Sequence, residues 1–431
     1  MSGLVQALLT VVEDRPCSFA PDRLSLGDGQ QLWELFGKLV SVEFPSPRTE
    51  NKWVLTSQGW VGYIPLRPGL RLSLEPKVPI ANLFRLLEVA YNLKPGAFRL
   101  FEDLVDCGSL TEFYERLAHV LAKRTLQRAR WGFHQEYVEK DDVLPYVRGR
   151  LNVSRLLAAP WSVNLQCQFE EHTGEIEDNK ILAWTLNRIL RSGLCSQRTV
   201  PTIRHAYRTV SSVAMPTPFS GDDCVGRSYN KLNDDYKPLH ALCRFFLEGT
   251  GPHLREGDHE MLPFLIDMSE LFEKFVANWL EEVFRQSSLG LLVHPHKKHQ
   301  LGPSGTVGFD LDLVLYSRST GRALCVVDTK YKRPERPSND DICQVVTYAL
   351  LEQCQEAVLA YPAPLALPLD VRIGTVRVRS VTFDLGADLD RAGEKFLAQL
   401  LEPLNKHLPM PVKTDELLTV APHLPANVTA P

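Results

Sequence analysis

The chain has 431 residues, 44% of them hydrophobic and 23% charged, with a formal net charge of −4. That composition excludes a disordered or fibrous chain and leaves enough apolar material for two or three domains, while no apolar run reaches the roughly 18 to 20 residues of a membrane span. A protein that gripped nucleic acid alone would carry a basic excess, because counterion release supplies most nonspecific affinity, so the mild acidity excludes unaided nonspecific binding of that kind unless basic residues are segregated on one face or a second subunit does the gripping.

The apolar stretch Leu4 to Val12 has no Lys or Arg before it and Glu13-Asp14 after it, which does not fit a signal peptide, and a cytoplasmic location is expected. Nine cysteines are scattered singly with no CxxC pair, the pattern of reduced, mostly buried thiols rather than of disulfides or a zinc ribbon. Residues 1–80 alternate short apolar runs with turn signals, as in Lys52 to Pro65 and Leu70 to Glu75, and predict a β-rich domain. From Ile80 the spacing turns helical, with Leu83, Leu86, Leu87 and Ala90 on one stripe, and a second helix is predicted from Leu110 to Arg130. Trp131 to Val138 and Val143 to Leu151 predict two strands joined by the charged turn Glu139 to Asp142, a ribbon with a basic end at Arg148 and Arg150. A helix around Ile181 to Leu190 follows, and the polar, Gly-containing stretch Pro216 to Asp235 reads as a loop between the two halves. Residues 81–230 thus form a helical and extended region.

The second half, residues 231–410, opens with helical spacing at Leu239 to Leu247 and then a helix predicted from Phe264 to Phe284, whose Leu265, Met268, Leu271, Phe275, Trp279 and Val283 mark a buried face. Residues 411–431 read as a loose tail. The fold class expected is α/β, α+β overall, with a mixed sheet flanked by helices in the second half.

The chemistry concentrates in two β-compatible runs, Gly308 to Tyr316 and Ala323 to Lys330, flanking the turn Ser317 to Arg322 and predicting a hairpin. The second run ends in Asp328-Thr329-Lys330, and a period of two puts Asp328 and Lys330 on one face, roughly 6.6 Å apart. Asp310 and Asp312 share a face of the first strand by the same period, so at least one of them meets Asp328 across the hairpin. Two carboxylates and a lysine are costly to bury without a cation. A hard ion, Mg²⁺ with Mn²⁺ as an alternative, accounts for them: it takes oxygen ligands and keeps waters, one of which can attack a phosphodiester while Lys330 orients it. A helix from Asn339, with Asn339 as N-cap, carries Gln344 and Tyr348 four apart on one face, and a buried strand at Ala357 to Tyr361 follows. His294, His296 and His299 lie among Lys297 and Lys298; two imidazoles on one face could bind zinc, but with no fourth ligand in view a basic edge facing DNA is the better reading. Arg333, Arg336, Arg372, Arg377 and Arg379 are further candidates for phosphate contacts.

On these residues the chain resembles the McrC family, the nuclease subunits of 5-methylcytosine-dependent restriction systems, whose nuclease domain belongs to the PD-(D/E)xK superfamily with a restriction-endonuclease-like core. The resemblance lies in Phe309 to Lys332, Gln344-x-x-x-Tyr348 and Asp267 to Phe275. It extends to Glu75-Pro-Lys-Val-Pro-Ile-Ala-Asn-Leu-Phe-Arg-Leu-Leu87, Val147-Arg-Gly-Arg150 and Tyr207 onward through Tyr236, covering most of residues 60–400. It implies Asp312, Asp328 and Thr329 as the metal site, Lys330 as the catalytic lysine with Gln344 and Tyr348 beside it, and Glu270 or Glu273 as a helix-borne glutamate; Asp310 departs from the family pattern. The resemblance also implies a partner, an AAA+ GTPase of the McrB type forming a hexameric ring that binds GTP and reads double-stranded DNA with modified cytosine, with self-association in the full complex and no membrane. This chain has no P-loop of its own. The ribbon of the first half is the part expected to enter the ring, with Arg148 and Arg150 stimulating GTP hydrolysis. Two other readings stand beside this one: the Gln-x-x-x-Tyr pair alone suits an autonomous RecB-like nuclease, and a non-catalytic GTPase-activating adaptor is opposed by the presence of Asp312, Asp328 and Lys330.

Overall fold

The computed structural model describes residues 7–67, 69–91, 109–158, 161–249, 254–256, 259–261, 263–287, 289–302 and 306–404. The expected tail at 411–431 lies outside them. Internal packing separates two units, Met1–Leu110 with Pro263–Pro431, and Thr111–Leu262. The chain therefore leaves its first unit near residue 110 and returns at 263, a division unlike consecutive blocks bounded at 80 and 230.

The reason is a strand. Phe264–Asp267 pairs antiparallel with Trp60–Tyr63 and completes a four-stranded sheet with Ala7–Val12, Leu70–Glu75 and Trp60–Arg67. The predicted helix from Phe264 is corrected accordingly: it spans Met268–Gln286, and Asp267 caps it by accepting the N–H groups of Ser269 and Glu270. Gly62 permits the pairing, since at φ 136° a Cβ there would stand 2.0 Å from the Phe264 carbonyl oxygen. The helix Ile80–Ala90 packs on Met268–Gln286, and Asn82 donates to the carbonyl of Leu385 at 2.7 Å.

The other large sheet of this unit is mixed and six-stranded, in the order Leu291–Leu301, Val307–Ser317, Ala323–Thr329, Glu356–Tyr361, Val376–Thr382 and Asp370–Ile373. The first three strands run antiparallel, which makes the predicted hairpin real, and Ala323–Thr329, Glu356–Tyr361 and Val376–Thr382 run parallel. Between the two central strands lies the helix Asn339–Leu351. Its N-cap is Ser338 rather than Asn339, because Ser338 and Asp341 exchange backbone-to-side-chain hydrogen bonds in a capping box. Val345, Tyr348 and Ala349 of that helix join Val314, Val326, Ala357, Leu359 and Val378 in one core cluster. A separate aromatic cluster, in which Phe383 lies 4.9 Å from Phe275 and 5.1 Å from both Trp279 and Phe396, joins Met268–Gln286 to the helix Leu389–Leu401.

The second unit contains the helices Glu177–Ser192, Val200–Ser211 and Tyr236–Glu248, most of the helix Leu110–Trp131, and a three-stranded ribbon. Here the predicted ribbon is corrected. Glu136–Leu144 runs straight through the expected turn at 139–142 and pairs along its length with Leu165–Thr173, whose far edge takes only Arg150–Leu151. Nearly all of Glu136–Leu144 is exposed, so cross-strand pairs such as Lys140 with Glu171 set this strand rather than apolar alternation. At the ribbon's base, buried Asn179 donates to the carbonyls of His134 and Gly174 and accepts from the Tyr236 hydroxyl at 2.6 Å. Such a satisfied network holds a polar core in a single arrangement.

Candidate active site

The hairpin register Leu313 to Val327 and Val314 to Val326, continued by one residue, sets Asp312 opposite Asp328. Asp328 is fully buried, and its Oδ1 has no hydrogen-bond partner. Asp312 is half-buried and held from the next strand: its Oδ2 accepts the Thr329 N–H at 2.7 Å and the Thr329 hydroxyl at 2.8 Å. The Thr329 hydroxyl proton is therefore committed to Asp312, and Thr329 serves first to orient that carboxylate.

Lys330 Nζ lies 2.7 Å from Asp328 Oδ2 and donates to Gln344 Oε1 at 3.1 Å, while Gln344 Nε2 donates to the Tyr348 hydroxyl at 2.7 Å. A strand end and a helix thus converge in one chain, Asp328–Lys330–Gln344–Tyr348. Burial first, and then Asp312, push the Asp328 carboxyl up to about 7, against the pull of Lys330. Lys330 is drawn down by burial but raised more by Asp328 and by its bond to it, so its ammonium is held charged.

A third carboxylate comes from the helix Met268–Gln286. Of the two candidates, Glu270 is exposed and pairs with Lys274 on its own helix. Glu273 is the one near the site: burial, and then Asp312, Glu270, Asp310 and Asp328, push it up to about 8. Across the hairpin the same selection separates the two aspartates, because Asp310 is exposed and stands 3.9 Å from Lys298.

An unpartnered buried oxygen on Asp328, beside a half-buried Asp312, is a donor set that a hard cation fits. Among the described residues no group of three or more His, Cys, Asp or Glu side chains is arranged to hold a metal ion. Mg²⁺ is normally held by one or two carboxylates and completed by waters. The histidine tract does not form a zinc site. His299 and Lys297 both meet the carboxylate of Glu352 together with the Tyr316 hydroxyl, His294 lies edge-on to Tyr316, and His296 reaches Glu273. Two of the arginine candidates for phosphate contact are occupied otherwise. Arg377 pairs with Asp370, and Arg379 is buried against Glu356 and the carbonyls of Gln399 and Leu400.

In the second unit, Arg148 is tied down on the ribbon itself, donating to Glu171 at 3.2 Å with its guanidinium 4.0 Å over the Phe169 ring. Arg150 is exposed, without an ion-pair partner among the described residues. Sequence reasoning included Thr329 in the metal site but did not foresee its hydrogen bonds to Asp312 or the contact of His296 with Glu273. It also missed a buried trio, Glu13, Lys77 and Tyr331, for which the chain offers no local signal because the partners lie far apart.

Residues 55–362, which include Asp312, Asp328, Lys330, Gln344 and Tyr348, match the model of the McrBC 5-methylcytosine restriction system component family. The chain belongs to this McrBC family. Among solved structures it is similar to a chain of the refined half-complex from the tetradecameric assembly of Thermococcus gammatolerans McrB AAA+ hexamers with bound McrC, at 17% identity and a TM-score of 0.55, covering 92% of this chain and 100% of that one. A chain of the Thermococcus gammatolerans McrBC complex solved by cryo-EM aligns over 64% of this chain and 88% of its own length, at 18% identity and a TM-score of 0.42. No curated protein matches. The McrBC likeness at this identity is one of fold, and every described cysteine is a free thiol. Among the described residues no helix is long and apolar enough to cross a membrane.

Proposed function

We propose that this chain is the DNA-cleaving subunit of a modification-dependent, 5-methylcytosine-type restriction complex, a cytoplasmic PD-(D/E)xK endonuclease that hydrolyses phosphodiester bonds with Mg²⁺. The observation that carries the reading is the convergence of Asp312, Asp328, Lys330 and Gln344 at one end of a hairpin. Asp312 and Asp328 are the residues that would hold the ion, which when bound neutralises charge developing on the phosphate. Thr329 keeps Asp312 aimed. Lys330 presents an ammonium where a water would attack, and Gln344, itself held by Tyr348, limits the directions that ammonium can take.

The second unit suits a different task. Its ribbon, with a base held by Asn179, exposes Tyr146, Val147, Trp161 and Val163 in the connections between its strands and Arg150 on its short third strand. We assign it to the pore of an AAA+ GTPase of the McrB type, which would bind the GTP and read the modified DNA. A similar solved assembly itself consists of McrB AAA+ hexamers with bound McrC.

The test is co-purification with a P-loop GTPase encoded beside this chain, followed by cleavage of methylated and unmethylated DNA with GTP and Mg²⁺. Cleavage of methylated DNA only, lost in Asp328→Ala, is expected. Cleavage without the GTPase would point instead to an autonomous nuclease, for which the Gln344–Tyr348 pair is the supporting observation. Stimulated GTP hydrolysis with no DNA cleavage would make the chain an adaptor.

A further inference from the structure

The edge strand Leu291–Leu301 is basic, and it pairs with Val307–Ser317 in one constant register: Pro295 faces Leu313 and Lys297 faces Leu311, which sets His296 opposite Asp312. His296 takes φ 49°, a left-handed conformation uncommon for a residue with a side chain. Residues with side chains held in left-handed backbone cluster at functional sites, where the surrounding contacts over-determine them. The side chain has a specific partner: His296 Nδ1 lies 3.1 Å from Oε1 of Glu273 on the helix Met268–Gln286.

The neighbouring basic groups are each engaged elsewhere. Lys297 and His299 meet Glu352, and Lys298 faces Asp310. Glu273 stands among Asp312, Asp310, Asp328 and Glu270, all of like charge, and repulsion would swing a flexible helix-borne carboxylate away from them. We propose that His296 is a positioning residue of the nuclease centre, placed opposite Asp312 on the edge strand and held in left-handed backbone so that it keeps the Glu273 carboxylate beside Asp312 and Asp328. The proposal rests on the nuclease reading above and adds a residue and a strand that it does not use. Donation from Nδ1–H to Glu273 Oε1 does the holding, so the tautomer with the proton on Nδ1, or the imidazolium, is the active one.

The test uses the full chain and has two readouts, Mn²⁺ binding by calorimetry without partner or DNA, and the Mg²⁺ dependence of DNA cleavage in the complex. Removing a hydrogen-bond partner of a metal site typically costs about 10 to 100-fold in metal affinity or activity. His296→Ala is expected to weaken Mn²⁺ binding about tenfold and to raise the half-saturating Mg²⁺ by a similar factor. His296→Asn, whose amide N–H falls where Nδ1–H was and which tolerates left-handed backbone, is expected to recover most of the loss. In His296→Gly the backbone is relaxed and the imidazole is gone, so this variant separates strain from positioning. It is expected to behave as His296→Ala in both readouts. Combined with Glu273→Gln, His296→Ala should add nothing further. Wild-type Mn²⁺ affinity in His296→Gly, or full additivity with Glu273→Gln, would overturn the proposal. Wild-type protein that binds Mn²⁺ but never cleaves DNA would defeat the nuclease reading while leaving the His296 measurement decisive.

Discussion

Tyr331, the residue directly after Lys330, donates its hydroxyl to Glu13 Oε2 at 3.2 Å, a hydrogen bond between positions 318 apart in the chain. Lys77 completes the trio. Its ammonium lies 3.2 Å from Glu13 Oε1 and 4.1 Å over the Tyr331 ring, and its backbone N–H donates to Glu13 Oε2. Glu13 follows the strand Ala7–Val12 and Lys77 follows its neighbour Leu70–Glu75, so that sheet is fastened to the segment that presents Lys330. The Glu75 to Leu87 motif that resembles McrC thereby has a structural task beside the proposed nuclease centre.

Burial raises the Glu13 carboxyl above its ordinary value of 4.5, with Lys77 opposing only in part. A raised value means that the folded state holds a proton that the unfolded state has released, so stability falls as pH rises from 4.5 through the folded value. Glu13→Gln should flatten that fall, measured as urea midpoints across the range above 4.5. Tyr331→Phe keeps the ring under Lys77 but removes the hydroxyl, and should cost about 1 to 2 kcal/mol at neutral pH. A pH slope unchanged in Glu13→Gln would mean that other buried groups govern it.

Asp328→Ala and Lys330→Ala should each reduce DNA cleavage by about three orders of magnitude or more, since the charge stabilisation removed is worth several kcal/mol. Circular dichroism and partner binding should be unchanged. Asp312→Asn should match them, whereas Asp310→Asn should stay near wild type because that side chain is exposed beside Lys298. The reverse order for the two aspartates would shift the working register by two residues.

Gln344 reaches the reaction only through Lys330, so its loss should be milder. Gln344→Ala should lower the cleavage rate about tenfold with little change in DNA affinity. Tyr348→Phe, which frees the Gln344 amide but keeps the packed ring, should have a smaller effect in the same direction. Single-turnover rates at saturating DNA separate these from binding defects.

On the ribbon the two arginines should differ. Arg150→Ala should lower stimulation of the partner's GTP turnover while complex formation survives, because Arg150 has no internal partner among the described residues. Arg148→Ala should loosen the ribbon itself, since Glu171 and Phe169 lose their shared cation. Hydrogen exchange across Glu136–Leu144 reports that loosening. Equal loss of stimulation without faster exchange in Arg148→Ala would assign the activating contact to both.

Much of this site was legible in the chain because its parts are local. A period of two brings Asp328 and Lys330 onto one face, a turn after Tyr316 folds the two acidic strands together, and four-residue spacing aligns Gln344 with Tyr348. What tertiary structure decided depends on neighbours that no local pattern encodes. Phe264–Asp267 fits a helical stripe as well as a strand, and becomes a strand because Trp60–Tyr63 offers an open edge with glycine at the close approach. Glu139 to Asp142 reads as a turn by composition, and is mid-strand because Leu165–Thr173 pairs with it throughout. The choices of Asp312 over Asp310 and Glu273 over Glu270 follow the same rule. Periodicity puts both members of each pair near the site, and the selection is made by Thr329 on the adjacent strand and His296 on the edge strand, through contacts that form only when the sheet closes.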